Sequence, residues 1–209
     1  MRSDPGKAVG ASAMRCAALA GILLLAISFR APAQEPDAAD LRKALADTPA
    51  NTFRYFGGQL VCKQDKPAPD YLACLRIGEL RVGEPYRPVR ERNPRPWREV
   101  ALEGGVTASA FLIESPPGTH AYWVIGHRDD TIVSVQLTGN YPHPDFHFAT
   151  VRLDDSEEKV LSRLGPSSRI HEVKEIGGLL WDYSPLPFSI EFVRGRVYSI
   201  RVALPERPR

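Results

Sequence analysis

Cysteine is scarce in this sequence: there are three in 209 residues, none in C-x-x-C spacing. That argues against the usual metal-binding and dithiol redox motifs. Long apolar runs are nearly absent as well. The one example, Cys16 to Phe29, has 14 residues, against the roughly 20 that a membrane-spanning helix needs. No glycine-rich phosphate loop occurs and no serine stands in a G-x-S-x-G elbow, so two common signatures of nucleotide binding and serine hydrolysis are missing. A surplus of one charge is lacking too. The formal net charge is +2, and the basic excess belongs to the N-terminal leader.

Within that leader, Arg2, Lys7 and Arg15 precede the apolar run, and Ala31-Pro32-Ala33 has the small-x-small pattern of a signal-peptidase site. Residues 1–33 therefore read as a signal peptide, with a mature start at Gln34. Met14 would begin a more compact leader. Losing Arg2, Lys7, Arg15 and Arg30 together with Asp4 takes the net charge from +2 to −1, which leaves no concentrated positive face for nucleic acid. Cys16 stands at the start of the apolar run, the wrong place for a lipoprotein cysteine. The expectation is an exported, unlipidated periplasmic protein with no transmembrane segment in the mature chain. There, Cys62 and Cys74, with eleven residues between them, are expected to form a disulfide worth about 3 kcal/mol in the chain-entropy model.

The turn signals divide what remains. Asp37 to Ala46 has Leu41 and Leu45 at i, i+4 and predicts a short amphipathic helix ended by Thr48-Pro49. Thr52 to Cys62 is apolar and aromatic, and its Gly57-Gly58 pair leaves its assignment open. Between Gly83 and Trp97, Pro85, Pro88, Pro94 and Pro96 stand among arginines, so an extended surface excursion is expected over about 83–98. Strands are predicted at Val106 to Glu114, Ala121 to Gly126 and Thr131 to Leu137. Asp154-Asp155-Ser156 caps a helix to Leu164, which Gly165-Pro166 stops. Further strands follow near Ile170 to Val173, Leu179 to Tyr183, Phe188 to Val193 and Arg196 to Ala203, the last two joined by Arg194-Gly195.

An internal repeat relates the halves. Gly104-Gly105-Val106 aligns with Gly177-Gly178-Leu179, Trp123-Val124-Ile125 with Ile190-Glu191-Phe192, and Ile132 to Leu137 with Val197 to Val202, at offsets of 73, 67 and 65. The predicted fold class is α+β: two tandem helix-plus-antiparallel-meander units, 34–140 and 148–204, with helices on one face of the sheet. Alternation buries Trp123, Ile125, Val133, Val135 and Leu137 in the first unit and Trp181, Ile190, Phe192, Tyr198 and Ile200 in the second. It leaves Phe111, Tyr122, Gln136, Asp182, Glu191 and Arg201 on an open side.

The stretch from Val151-Arg152-Leu153-Asp154 through Leu164-Gly165-Pro166, followed by Gly178 to Tyr183 and a closing hairpin, resembles the BamE/SmpA-like and β-lactamase-inhibitor-like (BLIP-like) superfamily of exported α/β modules, best over residues 148–203. The resemblance implies a module whose sheet face or loops bind another protein, with two such units in tandem in the inhibitor branch.

Chemistry-bearing clusters are few. His143, Asp145 and His147 have metal-ligand types, but they lie in a proline-containing linker. Asp182, Glu191 and Arg201 on neighbouring strands would form either an acid-base constellation or a cross-strand ion-pair ladder. No cofactor is implied. The leading expectation is a non-enzymatic module that binds an envelope or secreted protein through Phe111, Tyr122, Gln136, Asp182, Glu191 and Arg201, with Arg90 and Arg92 from the proline-rich excursion. A small metal-dependent or hydrolytic enzyme and a structural envelope protein without a discrete site are the alternatives.

Overall fold

In the computed structural model of the chain, the described residues are 48–66 and 71–205, together with residues 39, 43, 45 and 46. All fall within a compact unit of residues 33–209. The expected signal peptide and the Asp37 cap lie outside the described residues; residues 39, 43, 45 and 46 are helical.

Alternating apolar residues separated by tight turns produce strands, and the strands dominate. β1 (Thr52–Phe56) and β2 (Gln59–Lys63) form a hairpin, and β3 (Arg76–Ile77) pairs with β4 (Leu80–Arg81). The remaining strands are β5 (Arg98–Ala101), β6 (Thr107–Ile113), β7 (Ala121–Arg128), β8 (Thr131–Gly139), β9 (Arg169–Val173), β10 (Gly178–Asp182), β11 (Phe188–Val193) and β12 (Arg196–Ala203). They make one eight-stranded antiparallel sheet in the order β5-β6-β7-β8-β12-β11-β10-β9. Besides the helical residues 39, 43, 45 and 46, two short α-helices accompany it among the described residues, α1 (Arg87–Arg92) and α2 (Glu157–Leu164).

This corrects the expected fold class. The chain is mostly β, and its strands merge into one sheet through the β8–β12 pair instead of forming two helix-plus-meander units. Local sequence patterns specify hairpins; they do not specify that the last strand of one hairpin joins the last strand of another, 65 residues on.

Within the one sheet the pairing is pseudo-symmetric. A bulge separates Gly126 from His127 in the β7–β8 pair, and another separates Glu191 from Phe192 in the β11–β12 pair. Asp129 and Asp130 turn the first hairpin at φ 48° and 61°, and Arg194 and Gly195 turn the second at 52° and 72°, the left-handed geometry of a two-residue turn matched to strand twist. Ahead of the helices the same ladder recurs. Gly83 N donates to Ile132 O (2.7 Å) and Ile132 N to Glu84 O (2.8 Å), while Asp154 N donates to Val197 O (2.8 Å) and Val197 N to Asp155 O (2.9 Å). Positions Gly83 and Asp154 both take positive φ, 86° and 63°. In the β8–β12 pair, Leu137 faces Ile200 and Val135 faces Val202, so the local twofold axis passes through Gln136 and Arg201. The β7 strand therefore corresponds to β11 with Trp123 at Phe188, two positions from the alignment read in the sequence.

The bulges also change two faces. Alternation puts Val133 and Tyr198 inside; each is the extra residue of a bulge, and Ile132 and Val197, both 1% exposed, take the inward places. One side of the sheet is thus a continuous apolar layer: Phe111, Trp123, Leu137, Ile200, Ile190 and Trp181 stand in register across six strands.

Val89 of α1, Val160 and Leu164 of α2, Leu153, Phe148 and Phe53 cover that layer. α2 starts where Ser156 Oγ accepts from Lys159 N (3.3 Å), with Glu157 and Glu158 at the positive end of its dipole. It stops at Gly165, at φ 74°. A β-carbon there would lie 2.3 Å from the Tyr55 ring of β1, so glycine is required for both conformation and space. The proline-rich excursion is corrected as well. It contains α1, because Pro88 sits in the first turn, where no amide is needed, and buried Val89 anchors the helix.

The Cys62–Cys74 disulfide is closed. It ties β2 to the buried turn that carries Cys74, and it fits an exported protein in an oxidising compartment. No helix among the described residues is long and apolar enough to cross a membrane.

Candidate functional site

Among the described residues, the face opposite the apolar layer carries no helix and is written by two cross-strand rows. One runs Arg98, Ala110, Val124, Gln136, Arg201, Ser189, Asp182, Arg169 from β5 to β9. The next runs Leu112, Tyr122, Thr138, Ser199, Glu191, Leu180, His171. Paired residues in a sheet point the same way, so Tyr122, Gln136, Asp182, Glu191 and Arg201 do share the open side.

The centre of this face is a polar knot. Gln136 Nε2 donates to Ser199 Oγ (2.9 Å) and Thr138 Oγ1 donates to Ser199 Oγ (3.2 Å). Ser199 is 1% exposed and Thr138 4%. Tyr122 stands beside Tyr198, whose ring is 6.3 Å from that of His120. Burial, and then the neighbouring Tyr198, push the Tyr122 phenol above its ordinary range, partly offset by the Thr138 hydroxyl. The Tyr122 phenol is therefore a neutral hydrogen-bonding group at physiological pH.

On either side the chemistry differs. Towards β5 the face is apolar and exposed: Trp97 (62%) and Leu112 (62%) flank Tyr122, with the Trp97 ring 6.4 Å from the Tyr122 ring. Val100 lies on the same side. Towards β10, Arg201 and Asp182 border a cleft of about 620 Å³ with Ser184, Pro187 and Ser189. Ser184 donates to Asp182 Oδ1 through its hydroxyl (2.7 Å) and its backbone amide (2.9 Å), and these bonds hold the carboxyl below the usual carboxylate range. Arg201 makes no ion pair among the described residues. Asp182, Glu191 and Arg201 are therefore neither an ion-pair ladder nor a coupled acid-base set. Ser189 separates the first from the third, and Glu191 sits in the neighbouring row.

Three of the expected groups lie elsewhere. Phe111 is 5% exposed and packs against Trp123 at 5.2 Å between ring centroids, on the buried face; it shares parity with Trp123, which the alternation missed. Arg90 and Arg92 belong to α1, on the far side of the sheet, where they pair with Glu99 (3.0 Å) and Glu79 (2.6 Å). His143 Nδ1 is 3.9 Å from Asp145 Oδ2, and among the described residues no three histidine, cysteine or acidic side chains converge as metal ligands. Sequence reasoning put Ser199 on the open side, where it lies, but missed Trp97, Leu112, Thr138 and Tyr198. Leu112 and Thr138 were legible from the parity of Tyr122, whereas Tyr198 required the bulge.

Under α1, Ser109 donates to Glu99 Oε2 (3.0 Å) and lies 3.4 Å from His127 Nε2, whose ring stacks on Tyr86 at 3.8 Å. Ser109 is 0% exposed and its proton goes to the carboxylate, so this cluster is a buried strut and not a nucleophile with its base.

No protein-family model matches the chain, and no curated protein matches it. Among solved structures it is similar to a cysteine-rich secretory protein of Staphylococcus aureus, at 13% identity and a TM-score of 0.40, over 58% of this chain and 44% of that one. It is also similar to an extracellular protein containing an SCP domain from Bacillus anthracis, at 10% identity and a TM-score of 0.41, over 68% and 50%. The chain spans half or less of the length of these proteins. The single eight-stranded sheet, in place of two helix-plus-meander units, corrects the expected BamE-type and β-lactamase-inhibitor-like resemblance. A capped helix, a Leu-Gly-Pro stop and a following strand are local features that folds of different families share.

Proposed function

We propose that this is a non-enzymatic, exported protein that binds a segment of another envelope or secreted protein across the open face of its sheet. The mature chain acts in the periplasm, after cleavage of the leader behind Ala33. The observation that carries the reading is the composition of that face. Exposed Trp97 and Leu112 adjoin Tyr122 at one end, and Arg201 without an ion pair faces the fixed Asp182 carboxylate across one strand at the other. Large exposed apolar groups beside aromatic and arginine anchors are favoured in protein contacts. Paired strands lie about 4.8 Å apart, so the span from Leu112 to Asp182 suits an extended segment that offers an apolar side chain to Trp97 and Leu112, an acidic one to Arg201 and a basic one to Asp182.

The test is quantitative co-purification from envelope extract of the wild type and a Tyr122→Ala, Arg201→Ala double variant, with partners identified by mass spectrometry. A partner enriched by the wild type should fall by tenfold or more with the variant, and its contact segment should carry those three side-chain types. Equal recovery of the same partners by both proteins refutes the reading.

A further inference from the structure

On the other side of the molecule, a cleft of about 610 Å³ opens between the 49–52 segment, the β3–β4 turn and the 144–149 segment. Its wall carries Arg76 and His147. Neither nitrogen of the His147 ring has a protein partner among the described residues, and Nδ1 is fully buried. Three residues on, Thr150 Oγ1 is also buried without a partner. Buried polar atoms are almost always hydrogen-bonded, so two such orphans in one short segment call for an explanation.

The backbone between them is strained. Ala149 and Thr150 turn the chain from Phe148 to Val151 with φ of 49° and 67°. A β-branched residue strongly resists that left-handed conformation, and strain of this sort collects where ligands bind. Cations dominate the surroundings. Arg76 donates Nε to Gly78 O (2.6 Å), which fixes the guanidinium, and its two terminal nitrogens meet no carboxylate among the described residues. Arg152 acts on His147 electrostatically and makes no ion pair among the described residues. The cleft's two carboxylates are directed elsewhere: Glu79 pairs with Arg92, and the Asp145 side chain is 82% exposed near His143.

We infer that this cleft is a binding site for the anionic group, carboxylate or phosphate, of a small ligand, held between the Arg76 guanidinium and the His147 imidazole with Arg152 adding positive field. An anion there supplies an acceptor for the two terminal Arg76 nitrogens and for the imidazole. In the unliganded protein, burial first, and then Arg152 and Arg76, hold His147 below the ordinary histidine range, with Asp145 opposing. An anion reverses that balance, favours the imidazolium and is itself bound more tightly as pH falls.

The experiment follows the histidine Cε1–H resonances of the mature chain by NMR while inorganic phosphate, or separately succinate, is added. Binding with a Kd of about 1 mM or tighter, confined to His147 and accompanied by a rise in its pKa, is the expected result. Response to phosphate alone assigns a phosphate-type ligand, and response to succinate alone a carboxylate. Arg76→Gln should weaken the effect about tenfold or more, Arg76→Lys should restore part of it, and the exposed Arg194→Gln should leave it unchanged, all at an unaltered circular-dichroism spectrum. If neither anion moves His147, or if Arg76→Gln binds as the wild type does, the site does not exist.

Discussion

Replacing Phe53 by alanine should unseat the β1–β2 hairpin from the sheet. Phe53 is 3% exposed, and its ring lies 5.6 Å from Phe188, 5.9 Å from Phe148 and 6.2 Å from Tyr71. A buried phenylalanine cut back to alanine costs about 3–5 kcal/mol, and the three tilted ring pairs place this site at the upper end of that range. For a domain whose total stability is on the order of 5–15 kcal/mol, the loss is severe. With a urea slope of about 2 kcal/mol per molar, the midpoint should fall by about 2 M. The buried Trp123 and Trp181 report the transition by fluorescence. Phe53 is also the cross-strand partner of Cys62, so the ring and the disulfide hold the same hairpin. Reducing the disulfide costs about 3 kcal/mol by loop entropy, and the two losses should sum to less than their separate values, because once the hairpin has left, the second tie has nothing to hold. A loss under about 1 kcal/mol for Phe53→Ala, or strict additivity with reduction, would refute the claim that the hairpin is docked by this cluster.

Other consequences are more local. Gly165→Ala should destabilise by at least the roughly 1–2 kcal/mol of a non-glycine residue in the left-handed region, because the Tyr55 ring must also move; thermal unfolding checks it. Stability should rise with pH through the histidine range. Burial lowers the folded-state pKa of both His127 and His147, so the unfolded chain binds more protons between the folded and unfolded values. That contribution is complete above the unfolded histidine pKa of about 6.5 and is lost on acidification. Tm should therefore be higher at about pH 7.5 than at pH 5, and His147→Gln should remove part of the slope; a flat or inverted profile speaks against the burial of these rings.

Much of the sheet was legible because its turns are written locally. Arg194-Gly195 and the polar segment His127 to Asp130 mark hairpins, although β7 runs on to Arg128 and leaves only Asp129-Asp130 as the turn. Ser156 and Gly165 likewise bound α2 as their capping chemistry requires. What alternation cannot show is a bulge, since one extra residue reverses every later side chain; Val133 and Tyr198 were misassigned for that reason. Nor does local pattern reveal a long-range pair such as β8 with β12, which turns the halves into one sheet and sets Gln136 against Arg201. Proline density concealed α1, because a proline in the first helical turn is permitted where one in the interior is not. The open face was recognisable from Tyr122 and Arg201, but alternation does not show that its hydroxyls, Thr138 and Ser199, are buried.

The binding face can be tested without knowing the partner in advance, by installing a photo-crosslinking amino acid in the cell at Leu112, on the open side, and separately at Glu158, exposed on α2 on the opposite side. Irradiation should join the protein to a specific envelope or secreted partner from position 112 and not from position 158, with the attachment mapped to one segment of that partner. Crosslinks from position 158 alone, or the same partners from both positions, would contradict the assignment of the sheet face as the contact surface.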